Sequence, residues 1–179
     1  MKLETSISRI ETLTRQNHDE NTQYRYLLDI CDLSTKDIDT IVRKHYRAVS
    51  GEIECRDCGN CCKVFRPMLT ASDIDRLAVR LKIPREDFIT KYLNAYKDGE
   101  EHYYKLTPCP FLVDNACSVY SDRPDACRVY PSLRRAGFVA RLDRAFSSCS
   151  VCPIVYNVYE RVKQEIRDSQ PAGLSSSDE

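Results

Sequence analysis

The sequence predicts a mostly helical α+β domain with short strands, in which irregular Cys- and Pro-rich segments are organised around a metal centre held by cysteines. Three observations predict this fold class. Apolar residues recur at helical spacing in three regions, residues 1–50, 71–95 and 153–167. Runs typical of strands are few and short. Nine of the ten cysteines lie between positions 55 and 152, in a region interrupted by prolines.

The composition favours a cytoplasmic protein. The 27 basic and 27 acidic residues cancel, which gives no support for a nucleic-acid partner. No run approaches the roughly 20 apolar residues that a membrane span needs, so we expect no membrane partner. The first residues lack the apolar core of a secretory signal. The chain is long enough for one domain with its own core.

The first 50 residues predict an N-terminal extension made of helices. Ser34 can cap the last of them, with Asp37 as its capping-box partner, and Gly51 can end it. We expect a cysteine-cluster domain over residues 51–167 and a disordered tail over 168–179, because that tail is small and polar.

The middle of the chain predicts two helices within 71–95. Thr70 or Ser72 begins the first, and Pro84 is placed for the first position of the second. Asp98-Gly99 is a turn signal.

Further along, His102–Leu106 and Phe138–Leu142 are predicted as short strands, the second one preceded by Gly137. The final predicted helix follows Pro153.

Nine cysteines form a pattern that indicates metal binding. CxxC gaps let two thiolates converge on one ion about 2.3 Å from each sulfur. Gly59 directly follows one such pair and can adopt a positive φ, which turns backbone N–H groups towards the sulfurs. Adjacent Cys61 and Cys62 are expected to point in different directions. The candidate ligands are Cys55, Cys58, Cys61, Cys62, Cys109, Cys117, Cys127, Cys149 and Cys152.

Other interpretations of the same residues stay open. A reducing cytoplasm disfavours disulfides. Cys149 and Cys152 precede a helix and could form a redox pair, whereas isolated Cys31 is expected to be a packing residue. His102 is a weaker ligand candidate. Four tyrosines near the second cysteine group are expected to form the wall of a small core: Tyr103, Tyr104, Tyr120 and Tyr130.

The cysteine segments resemble the YkgJ-like cysteine-cluster family (CxxCxxCC), a zinc- or iron-chelating domain. The resemblance covers residues 55–152 and rests on Cys55-x2-Cys58-Gly59-x-Cys61-Cys62, Cys109-Pro-Phe-Leu, Cys117-Ser-Val-Tyr and Arg123-Pro-x-x-Cys127-Arg-x-Tyr-Pro. It implies that the chain binds zinc or iron, with an iron–sulfur cluster as a further form. It does not indicate a reaction, and it leaves any protein partner unidentified.

Two alternative functions are kept beside metal chelation. A branch related to this family, the flagellin lysine N-methylases, has a similar cysteine cluster and implies an iron–sulfur enzyme. A thiol oxidoreductase is the second alternative. No catalytic constellation is visible beyond the cysteines.

Overall fold

The computed structural model describes residues 2–97 and 101–169. The chain divides into two compact units. We call Met1–Ile53 with Pro131–Glu179 the helical unit, and Glu54–Tyr130 the cysteine unit. The predicted turn at Asp98-Gly99 and most of the predicted tail, residues 170–179, lie outside the described residues.

Within the described ranges the protein is mostly helical, with short strands, as the sequence predicts. The α-helices are α1 (Ile7–Gln16), α2 (His18–Ile30), α3 (Thr35–Ser50), α4 (Cys55–Cys58), α5 (Asn60–Val64), α6 (Ala71–Leu81), α7 (Arg85–Tyr92), α8 (Asp125–Val129), α9 (Leu142–Cys149) and α10 (Pro153–Ser169). The strands are β1 (Met68–Leu69), β2 (Leu93–Ala95), β3 (His102–Tyr104), β4 (Leu112–Val113) and β5 (Ala116–Cys117). Short 3-10 turns cover Tyr120–Asp122, Ser132–Arg134 and Val139–Arg141.

The helical unit is built around α10, and α3 packs along it. The predicted capping box at Ser34 and Asp37 is confirmed, and α3 ends just before Gly51. The predicted helix after Pro153 is confirmed as well. The core of this unit is made of apolar side chains from all five of its described α-helices, among them Ile10, Tyr24, Leu28, Val42, Val49, Leu142, Val158, Val162 and Ile166.

The predicted strand at Phe138–Leu142 is wrong, because this segment forms a 3-10 turn that leads into α9. Gly137 adopts a φ of 77°. The buried Asp39 carboxylate accepts hydrogen bonds from the N–H groups of Gly137 at 2.8 Å and Phe138 at 2.9 Å. A carboxylate 98 residues away in sequence therefore satisfies N–H groups at the start of the turn.

The cysteine unit has a small sheet with strand order β1-β3-β2, in which both pairs are antiparallel. Helix α6 begins at the predicted cap Thr70, which forms a capping box with Asp73. Pro84 lies just outside α7, one position before the predicted one, and the predicted helical region ends early because residues 93–95 form β2. The strand predicted at 102–106 is confirmed for His102–Tyr104.

This sheet and its two helices enclose a hydrophobic core of their own, with Cys109 and Cys117 packed against it. Its buried members are Leu69, Ile74, Leu77, Ala78, Phe88, Leu93, Tyr104, Phe111 and Val119. No helix in the described part of the chain has both the length and the apolar character that crossing a membrane requires.

Candidate metal centre

The first cysteine group lies on two short helices joined by Gly59. Cys55 and Cys58 belong to α4, and Cys61 and Cys62 belong to α5. Gly59 has a φ of 59°, which confirms the predicted positive φ. A Cβ atom at this position would lie 2.4 Å from the carbonyl oxygen of Asn115. Glycine is therefore required here for two reasons, the backbone conformation and the close approach of a second chain segment.

That second segment is the hairpin that carries Cys117. Strands β4 and β5 pair antiparallel, and the turn residues Asp114 and Asn115 have φ values of 48° and 62°. Two consecutive positive φ values are typical of a type I′ turn. The N–H of Cys109, just before the hairpin, donates to the carbonyl oxygen of Cys62 at 2.7 Å. Backbone contacts therefore hold the second cysteine group beside the first.

Cys127 reaches the same region through a network around Asp73. The Asp73 side chain is fully buried and accepts a hydrogen bond from the N–H of Asp125 at 3.0 Å. Arg76 forms an ion pair with Asp73 and donates to the carbonyl oxygens of Asp122 at 3.2 Å and Arg123 at 3.1 Å. This network fixes the chain that leads into α8, on which Cys127 lies.

The charge of Cys62 acts on thiols from several segments of the cysteine unit. Burial, together with the smaller effect of nearby Cys62, raises the pKa of Cys109 to about 11 and that of Cys127 to about 12. The pKa values of Cys55 and Cys117 are also raised, first by burial and also by Cys62. Cys62 is thus close to thiols contributed by a helix, a loop, a strand and another helix.

The pKa of Cys62 itself is shifted in the opposite direction. A hydrogen bond from the Cys61 thiol, with the two sulfurs 4.0 Å apart, lowers the pKa of Cys62 to about 7 against the effect of burial. The expectation that these adjacent side chains point in different directions is therefore wrong. The pKa of Cys62 is thus lowered where those of Cys55, Cys109, Cys117 and Cys127 are raised, and thiolate is the form that binds metal.

Two N–H groups and one guanidinium favour thiolates at this site. Burial raises the pKa of Cys109, but the N–H of Phe111 lowers it by donating to the sulfur. The N–H of Val119 acts in the same way on Cys117. In both cases the donor follows the cysteine by two residues, and such N–H donors stabilise thiolate ligands. The charge of Arg123 lowers the pKa values of Cys55, Cys117 and Cys127.

The donor set fits zinc or iron by its chemistry. Among residues 2–97 and 101–169, no group of three or more His, Cys, Asp or Glu side chains is already arranged to hold a metal ion. The cysteine unit nevertheless supplies seven thiols, the donor type that both metals accept. Two sulfurs bound tetrahedrally to one zinc ion lie about 3.8 Å apart, close to the 4.0 Å between Cys61 and Cys62.

The remaining cysteines belong to the helical unit. Cys149, at the end of α9, and Cys152, before α10, are both buried, and the Cys149 thiol donates to the carbonyl oxygen of Ala145 at 3.4 Å. Cys31 is half-buried and donates to the carbonyl oxygen of Leu28 at 3.6 Å. All ten cysteines lie in the described ranges, and none forms a disulfide.

Sequence reasoning missed the residues that assemble this site. Asp73 was predictable as the capping-box partner of Thr70, but nothing in the sequence pairs it or Arg76 with the chain before Cys127. Asn115 acts through its carbonyl oxygen, which any residue carries. Tyr104 is buried, as its predicted place in the wall of a core requires. Burial raises the pKa of its hydroxyl, and the thiols of Cys109, Cys127 and Cys117 act in the same direction.

Comparison with known proteins identifies the cysteine region. A family model described as "CxxCxxCC: Putative zinc- or iron-chelating domain" matches residues 54–153, which is more than half of the chain. Comparisons with curated proteins and with solved structures found no significant match.

Proposed function

Because the chain belongs to the CxxCxxCC family, whose domain is described as zinc- or iron-chelating, we propose that it binds zinc or iron through thiolates of the cysteine unit, with Cys62 as the central ligand. The further ligands come from Cys55, Cys58, Cys61, Cys109, Cys117 and Cys127. Cys149 and Cys152 stay candidates on the evidence of the sequence. We also propose that the protein is cytoplasmic, without a nucleic-acid or membrane partner.

The position of Cys62 carries this proposal. The pKa of Cys62 is lowered, whereas the pKa values of Cys109 and Cys127 are raised, and the charge of Cys62 contributes to both increases. A cysteine that only filled a core would not need five other thiols around it. Thiols gathered in this way repel one another once they are ionised, and a bound cation removes that repulsion.

The metal has a structural task in the segment that holds the second cysteine group. Between positions 107 and 130, the buried residues are Phe111, Val119 and Pro124. Three buried side chains are a weak anchor for 24 residues with few regular elements. Binding of one structural zinc ion can contribute folding free energy on the order of 10 kcal/mol. An ion that ties Cys109, Cys117 and Cys127 to Cys62 would hold this segment at three points.

The proposal covers zinc, iron and an iron–sulfur cluster as alternative bound forms, because all three use cysteine thiolates. When bound, zinc would supply a rigid structural link, whereas a cluster would also supply electron transfer. The enzyme alternatives, an iron–sulfur relative of the flagellin lysine N-methylases and a thiol oxidoreductase, receive no support from the comparisons.

The test compares Cys62→Ser with Cys31→Ser after purification without oxygen. Cys31 is the matched control, since it lies in the helical unit and is no ligand candidate. Elemental analysis should find zinc or iron in the wild-type protein and in Cys31→Ser, and a large loss of metal in Cys62→Ser. The visible spectrum then distinguishes an iron–sulfur cluster, which absorbs, from zinc, which does not.

Full metal content and an unchanged melting temperature in Cys62→Ser would contradict the central role of this residue. A folded wild-type protein that takes up neither zinc nor iron would contradict the proposed function as a whole.

A further inference from the structure

Tyr104 has a buried hydroxyl whose hydrogen-bonding capacity is not used. The residue is 1% exposed, and among the described residues its hydroxyl has no hydrogen-bond partner. Burying a hydroxyl without a partner costs free energy, so native proteins rarely leave one in this state. A Phe in its place would keep the aromatic contacts without that cost. The buried hydroxyls of Tyr24 and Tyr159 are in the same state, so the surroundings of each hydroxyl decide which partner it can have.

The surroundings of Tyr104 indicate which partner is missing. Its ring meets the ring of Phe111 edge to face, with centroids 5.7 Å apart, and Cys109 and Cys117 pack against the same core. The charges that act on its hydroxyl come from the thiols of Cys109, Cys127 and Cys117 and from Asp73.

Asp73 already accepts hydrogen bonds from Thr70, Arg76 and Asp125, and the Tyr104 hydroxyl does not donate to it. The hydroxyl makes no hydrogen bond to a sulfur in this structure, but Cys109 and Cys117 pack against the core that contains Tyr104, so their sulfurs are the acceptors that a bound ion would bring into reach. A neutral thiol is a weak acceptor, whereas a thiolate accepts a charge-assisted hydrogen bond.

We propose that Tyr104 is a positioning residue of the metal centre, whose hydroxyl donates to a metal-bound thiolate among Cys109, Cys117 and Cys127. This inference rests on the proposed function, because the acceptor becomes strong only when the metal converts a thiol into a thiolate. Donors to ligand sulfurs orient the ligand and adjust its donor strength. The buried hydroxyl is satisfied in the loaded protein and unsatisfied in the metal-free protein.

Tyr104→Phe tests this proposal, because it removes one oxygen atom and keeps the ring. Tyr24→Phe is the matched control, since Tyr24 is also buried with a hydroxyl that lacks a partner among the described residues, but lies in the helical unit. Titration with Co²⁺ alone should show about tenfold weaker binding for Tyr104→Phe. Its sulfur-to-cobalt charge-transfer band should move to lower energy, because a thiolate that loses a hydrogen bond is a better electron donor.

In thermal melting, the direction in which Tyr104→Phe changes the melting temperature should depend on whether metal is bound. Without metal, Tyr104→Phe should melt at or above the wild-type temperature, because an unsatisfied hydroxyl has been removed. With metal it should melt below the wild-type protein, because a hydrogen bond to thiolate is lost. Tyr24→Phe should shift both melting temperatures in the same direction.

A measurement on the wild-type protein does not depend on any variant. Exchange of the Tyr104 hydroxyl proton with solvent, followed by NMR, should slow when the protein is loaded with Cd²⁺. Unchanged exchange, together with equal Co²⁺ affinity and an unshifted band in Tyr104→Phe, would overturn the inference and leave the proposed function intact. A wild-type protein that binds neither Co²⁺ nor Cd²⁺ would overturn both.

Discussion

Replacing Gly59 with alanine should destabilise the protein by about 2–5 kcal/mol, and the structure gives the two parts of this figure. An L-residue in the left-handed region, where Gly59 has a φ of 59°, costs about 1–2 kcal/mol. The new Cβ would lie 2.4 Å from the Asn115 carbonyl oxygen, and ordinary contact begins near 3.4 Å. The turn must therefore move by about 1 Å, and overpacking of this kind costs about 1–3 kcal/mol.

The same displacement should weaken metal binding, because Asn115 lies two residues before Cys117. Urea unfolding, followed by circular dichroism on the metal-loaded protein, measures the loss of stability, and a zinc titration measures the affinity. Gly51→Ala is the matched control. Gly51 has a φ of −78°, and a Cβ there would meet its nearest atom, the carbonyl oxygen of Arg47, at 3.4 Å. It should change the free energy of unfolding by less than about 1 kcal/mol.

A double variant identifies the atom responsible. Asn115→Gly removes a side chain but keeps the carbonyl oxygen, so it should not rescue Gly59→Ala. Wild-type stability and wild-type zinc affinity in Gly59→Ala would refute the reasoning. The hairpin would then not approach the α4–α5 junction in solution, and the placement of Cys117 beside Cys62 would lose its main support.

Two further predictions concern carboxylates that fix loops. Burial raises the pKa of Asp73, but its hydrogen bonds and Arg76 outweigh this effect and hold the pKa below the ordinary 3.8. Its stabilisation is therefore complete above pH 3.8 and is lost as the pH falls through the folded pKa. Asp73→Asn should lower the free energy of unfolding by about 2–3 kcal/mol at pH 7 and by less below pH 3.8. Urea unfolding at the two pH values measures both losses, and equal losses would contradict this prediction. Asp39→Ala should cost about 1–2 kcal/mol through the lost hydrogen bonds to Gly137 and Phe138, measured in the same way; a melting curve that matches the wild type would rule out this role.

The sequence was sufficient where a structural signal is local. The capping boxes at Ser34 and Thr70 depend on residues three positions apart, so both helix starts could be predicted. The positive φ of Gly59 could be predicted in the same way, from a glycine that directly follows a CxxC pair. The candidate metal donors could also be named from the sequence, because each cysteine is read directly from it.

The sequence was insufficient where a distant residue decides the local structure. Phe138–Leu142 has the composition of a strand, but Asp39 accepts hydrogen bonds from two N–H groups there, and the chain turns into α9. The closeness of the Cys61 and Cys62 sulfurs depends on rotamers, which spacing does not determine. The placement of Cys109, Cys117 and Cys127 near the first cysteine group depends on tertiary contacts between segments that are far apart in sequence.

Those tertiary contacts are formed by backbone groups and by the Asp73–Arg76 pair. The Cys109 N–H bonds the Cys62 carbonyl oxygen, the 114–115 turn contacts Gly59, and Asp73 with Arg76 holds the chain before Cys127. None of them uses a sulfur atom. The sulfurs of Cys62, Cys109 and Cys117 have hydrogen bonds of their own. Because the backbone contacts already bring the two cysteine segments together, the entropic cost of binding an ion is lowered. Under the proposed function, the metal completes a site whose ligand segments these contacts bring together, and it adds further restraints to the segment between positions 107 and 130.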